Sequence, residues 1–285
     1  MENLAPMFGQ SAFAPIVKER KYKGMGWRGM GLGLVLVSLG VGCGDQQHIL
    51  TVAGSTAFHA TAVDLANRYS EIHPEVTVSV QSMGSAAGRA AVFAGAADIG
   101  TIDTGIGTGA LTGLVGTVVA LDAIGVIVHP DNPVIDLTAA QVRDLFIGRI
   151  SNWAEVGGHD HAINRILREQ GSGTRQVFEE RLGLTDSTGN VVIADSNGAV
   201  REMVANDVHA IGYISRGSLT ERVRAVSING EGCTDDRIMA KQYVLAHPIL
   251  MVTQDVPAEK AVDFIRFVLS NDGREWVRRG GFVAP

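Results

Sequence analysis

Three short runs of glycine and hydroxyl residues hold the most suggestive chemistry in this chain: Gly54-Ser55-Thr56, Gly84-Ser85-Ala86 and Gly171-Ser172-Gly173-Thr174. Each follows a stretch that reads as a strand and opens one that reads as a helix. Such a turn offers free backbone N–H groups, the positive end of a helix dipole and a hydroxyl donor, which together suit an anion. Taken singly, each is an ordinary helix cap. Three in one chain, with Arg168 four residues before Ser172, point to a convergent oxyanion site. Arg168 can offer a forked, charged donor pair to a tetrahedral oxyanion, or it can be spent on a salt bridge with Glu169.

Other chemistries lack their residues. Gly24-Met25-Gly26-Trp27-Arg28-Gly29 fits the dinucleotide glycine pattern, but no strand precedes it and it falls in an export-type segment. The sequence has no phosphate-loop lysine motif and no paired-histidine zinc motif, and Ser172 lacks the glycine spacing of a hydrolase elbow. With only Cys43 and Cys233, no cysteine framework or zinc spacing arises. The formal net charge is -6, and residues 1–43 carry five of the basic side chains against two acidic ones, so the remainder is more acidic still. Nucleic acid is a poor partner for such a surface. An anion must be held locally, by neutral donors.

The elements needed to position these turns alternate. The pattern predicts a strand over His48–Ala53, a helix over 57–72, a strand over Val76–Val80, a helix to about Ala94 and a strand ending at Asp103. Such alternation belongs to a parallel sheet with crossover helices. An apolar strand over Ala120–Val128 runs into the breaker cluster His129-Pro130-Asp131-Asn132-Pro133. A second α/β block follows: a helix capped by Thr138, a strand over Ile163–Arg168, the Gly171–Thr174 turn and its helix, a helix capped by Asn197, and a strand over Ile211–Ile214. The tail reads as an apolar strand after Pro248 and helices over Ala258–Leu269 and Gly273–Arg279. Where the tail docks is open at this level.

Before all of this, basic residues from Lys18 to Arg28 precede an apolar run, Met30–Val41, that ends at Gly42-Cys43. At about 12 residues the run is short for a membrane span and typical of an export signal. Its end is similar to a lipoprotein processing site, with Cys43 as the lipidated residue. Gly40 stands where such sites usually carry leucine. A simple cleaved signal is the alternative, and Met25 is a possible later start.

The two most specific stretches are L-T-A-A-Q-V-R-D-L-F-I-G-R-I-S-N-W-A-E-V-G-G from Leu137 and R-E-Q-G-S-G-T-R-Q-V-F-E-E from Arg168. Through them above all, the chain from Thr51 onward resembles the PstS family, the phosphate-binding proteins of high-affinity phosphate ABC importers. Supporting stretches are V-A-G-S-T, G-S-A-A-G, A-D-I-G, N-G-A-V, A-I-G-Y-I-S and N-D-G-R-E-W. The resemblance implies an α/β type II periplasmic-binding fold with two lobes, 48–128 plus 248–285 and 129–247, each a mainly parallel sheet flanked by helices. It implies a receptor, not an enzyme, that needs no cofactor and delivers inorganic phosphate to a membrane permease; with the processing site at Cys43, a lipid-anchored monomer is expected. It further implies ligand contacts from Ser55, Thr56 and the Ala57 backbone, from Ser85, Asp103 and Arg168, and from Ser172, Gly173 and Thr174. Two departures stand out: Asp103-Thr104 replaces the Ser-Arg of many short members, and Ala57 replaces a phenylalanine found in some. An ionised Asp103 can only accept, which suits a ligand that retains a proton, as phosphate does and sulfate does not. Asp103 could instead be a cap or turn residue. Another tetrahedral oxyanion (sulfate, molybdate or arsenate) is the alternative ligand, and a phosphatase-like hydrolase the alternative class.

Overall fold

In chain order the elements are β1 (His48–Gly54), α1 (His59–Ile72), β2 (Val76–Ser82), α2 (Ser85–Phe93), β3 (Ile99–Asp103), β4 (Leu114–Val128) and β5 (Asp136–Leu137). Then come α3 (Ala139–Ile147), β6 (Asn164–Arg168), α4 (Gly173–Leu182), β7 (Val191–Ala194), α5 (Asn197–Ala205) and β8 (Ala210–Ser215). The chain closes with β9 (Arg224–Ala225), β10 (Ser227–Ile228), α6 (Asp235–Met239), β11 (Ala246–Gln254), α7 (Glu259–Val268) and α8 (Asn271–Arg279). The computed structural model describes residues 48–103, 111–184 and 191–285. The export-type segment with Cys43, and Thr104, lie outside these residues.

The main sheet runs β2-β1-β3-β11-β4-β8-β6-β7, with β9 alongside β4. β1 pairs in parallel with β2 and β3, and β6 pairs in parallel with β7 and β8. Between these parallel groups lie the antiparallel β11 and the long β4. The first part of β4, through Ala123, pairs with β11, whereas Ile124–Val128 pair with β8. β4 therefore changes partners between Ala123 and Ile124 and joins two half-sheets. The tail strand β11 inserts between β3 and β4.

Helices cover both faces of each half. On the β1 side, Phe58, Leu65 and Tyr69 pack with Phe264, Phe267 and Val277 of the C-terminal helices, while Val92 of α2 buries against Ala53 and Val252 on the other face. On the β6 side, Phe178 stacks on Tyr213 with ring centroids 4.0 Å apart, and Phe146 meets both rings edge-on. Val200 and Val204 of α5 cover the opposite face. Burying side chains of this size stabilises by roughly 1.5–3 kcal/mol each, so each half has its own apolar core.

Local signals account for the helix ends. Thr138 and Gln141 form a reciprocal capping box at α3, and left-handed Gly148 closes it. Ser172 caps α4 by accepting from the Arg175 N–H. α5 differs from the sequence expectation: Ser196 caps it, and Asn197 is its first helical residue. Its side chain is thereby released for other use.

Candidate functional site

All three glycine–hydroxyl turns leave the C-terminal ends of parallel strands, the edge at which open α/β sheets bind ligands. They converge there. The N–H groups of Met83 and Gly84 donate to the Gly54 carbonyl, which fixes the second turn against the first. The Ala86 N–H donates to the Gly171 carbonyl at 3.2 Å, bringing in the third turn from the other half-sheet. Glycine is required where these turns touch. A Cβ at Gly54, whose φ is +143°, would lie 2.1 Å from the Thr101 carbonyl oxygen, and one at Gly173 would lie 2.3 Å from Ser85 Oγ.

Asp103, at the end of β3 and 3% exposed, is the hub. Ser55 donates to its Oδ1 at 2.6 Å and Thr174 donates to its Oδ2 at 3.1 Å, while its own N–H donates to Ser85 Oγ at 3.1 Å. Asp103 thus collects a hydroxyl from each of the first and third turns on its carboxylate and positions the second through its backbone N–H. Ser55 Oγ also accepts from the N–H groups of Ala57 and Phe58, at 3.1 and 3.4 Å. The Ala57 N–H, expected to face an anion, is therefore directed at Ser55. Gly173 and Thr174 open α4, where no preceding turn supplies carbonyl partners for their N–H groups.

Arg168 ends β6 with its side chain 1% exposed. Its Nε and Nη2 donate to the two oxygens of Glu169 at 2.9 and 2.8 Å, and Nη2 also donates to Thr56 Oγ1 at 3.0 Å. Both sequence expectations for Arg168 are thus qualified. The salt bridge with Glu169 forms, and it takes the edge of the guanidinium that a forked contact would use. Nη1 remains, buried and without a hydrogen-bond partner among the described residues. A buried guanidinium N–H left unpaired costs on the order of 1–3 kcal/mol, so this atom favours an acceptor beside it. Asn197 completes the group by donating from Nδ2 to Thr56 Oγ1 at 3.3 Å.

Glu169 offsets Arg168 and the Asp103 carboxylate adds a further acidic group, so the site carries no surplus of positive charge. An anion would be held chiefly by hydroxyls, helix N-termini and the two N–H groups of Arg168 Nη1, as the acidic composition anticipates. The sequence reading named one further residue only as an alternative partner of Arg168 and gave another the wrong role. Glu169 was visible as the neighbour of Arg168, but Asn197 gave only the signal of a cap.

A PBP superfamily domain profile matches residues 41–272. The phosphate-binding protein PstS of Bacillus subtilis is 30% identical over 230 residues, covering 78% of this chain and 76% of that protein. The chain belongs to the PstS family. Among solved structures, a phosphate ABC transporter substrate-binding protein of Clostridium perfringens with bound phosphate is 32% identical, with a TM-score of 0.81, covering 84% of this chain and all of that one. An ABC-type phosphate transport receptor from Vibrio cholerae is 31% identical at a TM-score of 0.72, with 83% of this chain covered. The fold is accordingly the type II periplasmic-binding-protein fold expected of this family.

Proposed function

We propose that this PstS-family protein is an extracytoplasmic receptor that captures inorganic phosphate for an ABC importer and catalyses no reaction. The observation that carries the reading is the convergence of three helix-opening turns on one residue, two on the Asp103 carboxylate and one on its backbone N–H, beside a buried Arg168 Nη1 with no protein acceptor among the described residues. Thr56, Ser85, Ser172, Gly173, Thr174 and Arg168 supply donors. Ser55 and Ala57 hold the first turn and Asp103 in place, with the Asp103 lone pairs positioned to accept from a protonated phosphate oxygen. A free anion loses water on entry, and donors held by the protein replace that water.

In this reading the two lobes close on the ligand. The change of β4 partners at Ala123/Ile124 favours assigning Ile124–Val128 to the second lobe with β8, and β11 to the first. Export through the N-terminal signal, lipid anchoring at Cys43 and a monomeric receptor complete the proposal. No helix among the described residues is long and apolar enough to cross a membrane. Calorimetry with phosphate, sulfate and arsenate tests the ligand. Saturable heat with phosphate and none with sulfate is expected, and sulfate binding as tight as phosphate would replace the reading with a general oxyanion receptor. For the anchor, wild-type protein should partition with membranes and Cys43→Ala should not.

A further inference from the structure

We infer that Asn197 is a positioning residue for the anion that acts through the hydroxyl of Thr56; this rests on the phosphate reading above. Asn197 is 1% exposed although it is polar. Capping does not explain it, because Ser196 already caps α5. Its Oδ1 accepts from the Ser215 backbone N–H at 2.9 Å. A backbone N–H can only donate, so this bond fixes which way the amide faces, and the NH2 must point at Thr56 Oγ1, 3.3 Å away.

Thr56 Oγ1 receives a second donor, Arg168 Nη2, at 3.0 Å. The guanidinium keeps its protons at any ordinary pH, and a hydroxyl oxygen has two lone pairs and one O–H. With both lone pairs taken, the Thr56 hydroxyl has no acceptor role left and must donate, away from both nitrogens. In the closed arrangement the rotor that would otherwise choose among orientations is set. Thr56 follows β1, whereas Arg168 and Asn197 belong to β6 and α5, so this pair of bonds also spans the two half-sheets. Asn197 therefore makes Thr56 a dedicated donor and helps hold the second half-sheet against the first.

A double-mutant cycle read by phosphate calorimetry tests this. A hydrogen bond to a charged group is worth about 1.5–3 kcal/mol, and one between neutral groups about 1 kcal/mol. Thr56→Val should accordingly weaken phosphate binding by roughly ten- to a hundredfold, and Asn197→Ala by about fivefold or more. In the Thr56→Val background, Asn197→Ala should change the affinity by less than about twofold, because nothing is left to orient. With Thr56→Ser, which retains the hydroxyl, the Asn197→Ala loss should return. If Asn197→Ala does not fold, Asn197→Asp preserves the acceptor for Ser215 N–H, and its loss should be several-fold smaller in the Thr56→Val background than with Thr56 present. Equal losses in both backgrounds would overturn the inference while leaving the phosphate reading intact. If wild-type protein gives no phosphate heat, the reading fails and the inference with it.

Discussion

Asp122 should make this protein less stable at neutral pH than in mild acid, and replacing it with asparagine should remove that dependence. It lies on β4 next to the point where the strand changes partners, directly across from His247 on β11. Both side chains are fully buried, and His247 Nε2 lies 3.8 Å from Asp122 Oδ2, beyond hydrogen-bond reach. The other carboxylate oxygen accepts from the Ala123 N–H at 2.7 Å. Burial pushes the carboxyl from its ordinary 3.8 up to about 6, against a weaker opposing pull from His247. A shift of about two units corresponds to roughly 3 kcal/mol. The sign follows from proton counting. Between about pH 4 and pH 6 the folded chain holds a proton that the unfolded chain has released, so stability falls as pH rises through that window. Above it the whole penalty of a buried anion is present. Asp122→Asn is neutral throughout, keeps the acceptor for Ala123 N–H, and places an NH2 toward His247 Nε2. That nitrogen is free to accept if the Nδ1 proton is donated to the Leu245 carbonyl, 3.3 Å away. Urea unfolding of both proteins from about pH 4 to pH 7 reads the effect. The variant's advantage should be near zero at the acid end and grow to about 3 kcal/mol at the neutral end. A variant less stable than wild type at neutral pH would refute the reasoning, because it would mean that His247 holds Asp122 as a net favourable ion pair.

Three further outcomes follow from the site. Arg168→Ala removes the guanidinium that reaches Thr56 and pairs with Glu169; phosphate binding should weaken by about two to three orders of magnitude, roughly 2–5 kcal/mol, by calorimetry. Asp103→Asn retains the shape but can donate, so phosphate affinity should fall less than for Arg168→Ala while discrimination against sulfate narrows; an unchanged phosphate-to-sulfate ratio would exclude the carboxylate as the selective group. Gly173→Ala would put a Cβ 2.8 Å from the Asp103 carbonyl oxygen and 2.3 Å from Ser85 Oγ. It should lower the melting temperature and abolish the rise that saturating phosphate gives the wild type, which is about 2.7 kcal/mol of added stability at a hundredfold excess over Kd.

The alternation of strands and helices was legible because apolar periodicity and capping residues are local properties. The expected strands at β1, β2, β3, β6, β8 and β11 lie within a few residues of those observed, as do α3, α4 and α7. Short strands such as β7, β9 and β10 were not legible, nor was the first part of β4, where Gly116 and Thr117 interrupt the apolar run that begins clearly at Ala120. Asn197 was read as a cap because asparagine before a helix usually is one. Ser196 takes that place only because its own hydroxyl reaches the Ala199 N–H.

By itself, then, the sequence determined the character of each segment: three glycine–hydroxyl turns that open helices, an arginine at a strand end, an acidic composition, and motifs that mark a family. Periodicity says which face of a strand is buried, not which strand lies beside it. Only the tertiary structure decided that β11 inserts between β3 and β4, that β4 changes partners at Ala123/Ile124, and that Asp122 and His247 meet there. It also decided how donors are shared. Arg168 and Glu169 are neighbours in the chain, but whether the guanidinium edge faces that carboxylate or a ligand depends on Thr56 from another half-sheet. Hydrogen-bond partners more than a hundred residues apart are chosen by packing, which no local pattern encodes.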